Sequence, residues 1–188
     1  MASKIKVDTL ETANGSGTIA LSNQLSGMTT ASLPSGSVLQ VVSATKTDKF
    51  THGSTTFTTV TGLTASITPT SSSSKLLVSI NVQGSQDVGV NDCFVAIYRD
   101  STPIGVGGSD GNRTSHSFML QSSEAGWSES GSMTTLDSPN TASTIVYSVK
   151  VAAKNSGTIF INRGDNNANT SSGAGSPASS ITVMEIAG

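Results

Sequence analysis

Charge is scarce in this chain. Only 12% of its 188 residues are Asp, Glu, Lys or Arg, about half the share common in globular domains. Ten basic against twelve acidic residues leave a net charge of −2, so no strong field of either sign gathers nucleic acid or an anionic membrane. Aromatics make up 4%, too few for a stacking platform under single-stranded nucleic acid. Cysteine occurs once, at Cys93, which rules out an internal disulfide and says little about redox compartment. The longest unbroken apolar run is Cys93 to Tyr98, far short of the roughly 20 residues a membrane-spanning helix needs. No apolar run follows Lys4 and Lys6, so the pattern of a secretory signal is missing. These absences lead us to expect a soluble chain with no membrane insertion and no nucleic-acid partner.

Hydroxyls supply the polarity that charges do not: Ser and Thr make up nearly a third of the chain. Val, Ile and Thr together exceed a quarter, and these β-branched side chains suit a pleated surface better than a helix. Leu, Ile, Val and Phe form about a fifth of the residues, just above the level at which disorder becomes the better expectation. Length and composition therefore predict an all-β chain with one thin core and a short appendage.

The appendage is residues 1–36. Its apolar anchors, Ile5, Val7, Leu10, Ile19, Leu21 and Leu25, are spread among Gly, Ser, Thr and Asn. So few anchors cannot offset an ordering cost of roughly 1–2 kcal/mol per residue, so this segment is expected to attach to another copy or a neighbouring protein. A short helix over 22–31 is conceivable, though Gly27 and its Ser and Thr neighbours weaken it. The turn signature Leu33-Pro34-Ser35-Gly36 marks the joint.

From Ser37 to Gly188 the pattern alternates. Strands are expected at about 38–45, 55–60, 63–68, 75–83, 93–99, 114–121, 130–136, 144–152, 158–162 and 180–186, with Leu76, Val78, Ile80 and Val82 on one buried face. Residues 144–152 should have one face in and one out. Closely spaced strands without a long helical pattern argue for an antiparallel β-sandwich of jelly-roll type. The Gly-rich 105–113 and the Asn- and Ser-rich 163–180 are expected loops, and long loops in a compact domain are where recognition is sought. Candidate recognition residues are Asp110, Asn112, Arg113, Trp127, Arg163 and Asp165. Trp127, the sole tryptophan, could stack on a sugar, anchor an interface or cap the end of the core.

No motif carries convincing chemistry. Gly107-Gly108-Ser109-Asp110-Gly111 spells G-x-S-x-G, but a nucleophile elbow needs a buried strand before it and a helix after it, and here a polar, β-leaning segment follows. His52 and His116 lie in polar surroundings without an evident orienting partner. Asp165, Asn167 and Asn169 have the opening spacing of a calcium loop, yet Thr170 replaces the turn Gly and Ser176 the closing Glu. Arg163-Gly164-Asp165 spells the tripeptide integrins recognise, too short to carry weight. Glu124, Glu129 and Asp137 could pair for glycan hydrolysis only at a separation that sequence does not supply. No catalytic residue, metal site or cofactor is expected.

Lys4 to Asn23, continuing through Ser26 to Val42, resembles tail-fibre and fibre-like virion proteins of tailed phages, many of them marine or cyanobacterial. The likeness returns near Leu136-Asp137-Ser138-Pro139 and at the closing Thr182 to Gly188. The resemblance implies a virion structural protein, commonly a homotrimer, attached to other tail, baseplate or capsid proteins by its N-terminal segment. Its β-domain would face a host glycan or outer-membrane protein. A capsid decoration or head-fibre protein is the alternative, and an enzyme cutting surface polysaccharide stands below both.

Overall fold

The computed structural model describes residue 15 and residues 33–87, 92–121, 127–155, 157–164 and 175–188. The anchors Ile5, Val7, Leu10, Ile19, Leu21 and Leu25, the conceivable helix at 22–31, and Asp165 lie outside the described residues. The chain divides into two compact units, Met1–Leu33 and Pro34–Gly188. In the first, only Gly15 and Leu33 are described.

Among the described residues of the second unit there are eleven strands and no helix: β1 Val38–Lys46, β2 Phe50–His52, β3 Thr58–Ile67, β4 Lys75–Gln86, β5 Cys93–Arg99, β6 Thr102–Ile104, β7 Phe118–Leu120, β8 Glu129–Asp137, β9 Ile145–Ala153, β10 Ile159–Ile161 and β11 Ser179–Ile186. Their pairing is nested and antiparallel. β5 pairs with β6 and β7, β4 with β8, β3 with β9, β2 with β10 and β1 with β11. Each strand on the outward path thus meets its counterpart on the return, as in one long double ribbon. Three further pairings, β4 with β11, β4 with β10 and β5 with β9, close the ribbon into two sheets. The first sheet runs β1-β11-β4-β10-β2, with β8 on the free edge of β4. The second runs β3-β9-β5-β6, with β7 also on β5. Two antiparallel sheets packed on one core make a β-sandwich.

The core follows from alternation. Leu76, Val78, Ile80 and Val82 of β4 are buried together, as expected. They join Ile181 and Val183 of β11 and Val60, Leu63, Val95, Ile97, Tyr147, Val149 and Val151 of the opposite sheet. Each fully buried Val, Leu or Ile contributes about 1.5–3 kcal/mol.

Several expectations are corrected. The strands placed at 55–60 and 63–68 are one strand, β3, whose register shifts between Thr59 and Thr64. Gly62 sits in that bulge at φ +88°, a conformation glycine adopts without a Cβ penalty. The strand expected at 114–121 shrinks to β7, because Ser117 leaves the ladder while keeping its bonds: its N–H donates to Val95 O, and its Oγ accepts from Ile97 N. β2 and β6 were not expected, and β6 carries Pro103, which an edge strand tolerates.

At the break where β1 gives way to β2, and β11 to β10, stands buried Asn162 at φ +59°. Its Nδ2 donates to Lys46 O at 2.8 Å and Asp48 O at 3.2 Å, and its Oδ1 accepts from Ser179 Oγ. Its N–H donates to Gln83 O, and Ser179 Oγ accepts from Gln83 N. One side chain thereby satisfies the backbone groups that two interrupted strands leave open. At the same end, a Cβ on Gly131 would lie 2.3 Å from the Phe118 ring, so β8 passes this ring only because residue 131 lacks a side chain.

Candidate recognition surface

Buried polar groups at one end of the sandwich are structural. Arg99 and Tyr147 are direct partners across β5 and β9. Arg99 Nη1 donates to both carboxylate oxygens of Asp137 at 2.9 Å, and Tyr147 Oη donates to Asp137 Oδ2 at 2.6 Å. Burial, then this bond to a carboxylate, pushes the Tyr147 phenol well above its usual range. Asp137 is therefore committed to holding the sheets together, which removes it from the set of candidate acids.

Glu185 lies in the same inner row, two strands from Asp137. Its carboxylate accepts from Thr70 N and Thr70 Oγ1 at 2.7 Å and from Gln40 Nε2 at 2.6 Å. Burial works to raise its pKa, but the neighbouring Ser74 hydroxyl and the hydrogen bonds from Gln40 and Thr70 outweigh that and hold it below the ordinary value. The carboxylate ties β11 to β1 and to the loop after β3.

The outer face of the second sheet gathers aromatics that lie far apart in sequence. Phe57 packs at 6.0 Å from Tyr98, and Lys150 Nζ stands 4.1 Å over the Tyr98 ring. Phe94 stacks at 4.6 Å on His116. The same face holds the small residues Ala96, Ser148 and Ala152, all buried. Strand β9 therefore does not have a simple wet outer face, because the large neighbours overhang its small residues. This assembly escaped sequence reading because its members come from four separated segments. The usable signal was the alternation of Phe94, Ala96 and Tyr98 on β5.

His116 anchors the base of the loop between β6 and β7, where Gly107 N donates to His116 O. Asp110, Asn112 and Arg113 stand exposed at its tip. Arg113 N donates to Asp110 O, Gly111 turns at φ +56°, and Arg113 Nε pairs with Asp110 Oδ2 at 3.1 Å. This is a preformed turn offering a cation and an anion together. Ser109 precedes a turn rather than a helix, so the nucleophile-elbow context is missing.

Trp127 is 67% exposed just before β8, so it does not cap the core. Arg163 lies with its guanidinium 4.6 Å over the Phe160 ring, and its carbonyl accepts from Ser85 Oγ. The two loops meet: a Cβ on Gly164 would touch Ser128 Cβ at 3.4 Å. The structure thus brings Trp127 and Arg163 to neighbouring loops, while Asp110, Asn112 and Arg113 belong to the loop at the β5 edge.

Burial pushes the Cys93 thiol up to about 12, which leaves it an inert core residue. Among the described residues no group of three or more His, Cys, Asp or Glu is placed to hold a metal. What the site offers is one exposed tryptophan, one charged turn and a partly covered aromatic face. No family model matches the chain, and no curated protein is found to be similar to it.

Proposed function

We propose that this chain is a phage virion structural protein, a tail fibre or fibre tip that displays a homotrimeric β-domain for host-surface recognition. The nested ribbon, closed into a six-stranded and a five-stranded sheet, fits the path of a jelly roll, an architecture used in viral capsid and lectin domains. The observation that carries the reading concerns the stretches resembling phage fibre proteins. Far apart in sequence, they are neighbours in the fold: β1 from Val38 to Val42 pairs with β11 from Val183 to Ile186, and Leu136 and Asp137 lie across β4 from β11. Attachment is assigned to residues 1–36. Recognition is assigned to Trp127, Arg163 and the Asp110–Arg113 turn, with a host glycan or outer-membrane protein as the partner. Three weak sites on one trimer gain avidity by effective concentration, so none needs to be a deep pocket. The purified chain at saturation should bind host cells and slow phage adsorption; failure of both would overturn the proposal.

A further inference from the structure

The outer face of the first sheet is ordered in rows that cross its four long strands, β1, β11, β4 and β8. One row is entirely apolar: Val41 of β1, Met184 of β11, Leu77 of β4 and Leu136 of β8 are successive register partners. Val38 and Ile186 pair beside it and extend the patch. The next row is entirely hydroxyl: Ser43, Thr182, Ser79 and Thr134. Within it Ser43 bonds Thr182 at 3.1 Å and Ser79 bonds Thr134 at 2.9 Å. The row after that is Thr45, Ser180, Asn81 and Ser132, followed by Gln83 and Ser130.

Apolar side chains on this face are open to solvent to an extent a core strand never shows. Val38, Val41 and Leu136 are each more than half exposed, three of the six large exposed hydrophobics among the described residues. The only charge on these rows is Lys75, at the margin opposite Ile186. The solvated face of an antiparallel sheet is normally polar, without a contiguous apolar row.

We propose that this face is the contact surface between copies of this chain. Near a symmetry axis each side chain meets its own copy, so a charge there repels itself, whereas an apolar row packs on its like. Hydroxyls both donate and accept, so rows of Ser and Thr are self-complementary in a way that rows of Lys or Glu are not. From strand spacing and rise the face measures roughly 19 by 26 Å, about 500 Å² a side. Two such faces bury about 1,000 Å², the lower bound for a specific interface. The inference goes beyond the homotrimer proposed above: a face that packs on its like is isologous and pairs copies about a twofold axis, whether single chains or trimers. It is read from mass in solution, independently of where the chain sits on a particle.

Sedimentation equilibrium of the full chain, from low to high micromolar concentration, tests it. The wild type should associate reversibly. Leu136→Lys and Val41→Lys should each weaken association by at least about tenfold, because like charges meet across the contact. Val146→Lys, at an exposed apolar position on the other sheet, should leave it unchanged. Circular dichroism checks that each variant is folded, and Leu136→Ser serves in place of a lysine variant that is not. A wild-type monomer throughout, association that survives both lysine variants, or equal disruption by Val146→Lys would overturn the proposal, whichever other partner then covers the face.

Discussion

Tyr147 of one sheet donates a 2.6 Å hydrogen bond to Asp137 of the other, and the same carboxylate receives both contacts of Arg99. The sandwich is therefore joined at this end by polar as well as apolar contacts. Tyr147→Phe keeps the ring and removes only the donor, and should cost about 1.5–3 kcal/mol in urea unfolding, as for other hydrogen bonds to charged groups. Asp137→Ala should cost more, about 3–5 kcal/mol, since it strands a half-buried guanidinium and a buried phenol. If the double variant lost the sum of both single losses, the two groups would not be coupled and the tie would be absent.

Glu185 gives the fold a pH dependence of known sign. Its carboxylate is held below its ordinary value of 4.5 by hydrogen bonds that outweigh burial. A depressed folded-state pKa means that the unfolded chain binds the proton more readily. The stabilisation is therefore complete above about pH 4.5 and lost as pH falls through the folded value. Glu185→Gln should unfold more easily than wild type at pH 7 and show a shallower loss of stability between neutral and acidic pH. Parallel melting curves at both ends of that range would remove Glu185 from the account.

Two glycines separate space from composition. Gly131→Ala must displace the Phe118 ring, and the overpacking should cost about 1–3 kcal/mol. Gly107→Ala meets nothing within 4 Å and has no left-handed backbone to strain, so it should stay within about 0.5 kcal/mol of wild type. Equal effects in chemical denaturation would mean that β7 does not pack on β8 as described.

Trp127 distinguishes recognition from stability. It is two-thirds exposed and outside the core, so Trp127→Ala should leave the melting temperature nearly unchanged. The same variant should weaken binding to host cells several-fold in a pull-down read by fluorescence. Unchanged binding would move recognition to the Asp110–Arg113 turn.

What was legible in the sequence was set by periodicity. β5 stands at the bounds its unbroken apolar run implies, and β4 buries the face its alternation implies, because a sheet with one wet face imposes a period of two, while running on to Gln86. β3 reads as two strands in sequence because a bulge at Gly62 looks, in one dimension, like a turn. β2 was missed because three residues carry no period, and Asn162 gave no sign of the junction it fills. The candidate site was legible only as loops. Trp127 and Arg163 could be named from residue type, but the meeting of their loops, the overhang of Tyr98 and Phe94 on small neighbours, and the apolar row on the first sheet depend on register between distant strands.

The central claim is one of place: the chain sits on a virion and displays its β-domain outward. Immunogold labelling of intact virions with antibody against residues 37–188, viewed by electron microscopy, tests it most directly. The account predicts label at the tail, on fibres or their tips. Label confined to the capsid would contradict it in favour of decoration, and virions without label would remove the chain from the particle altogether.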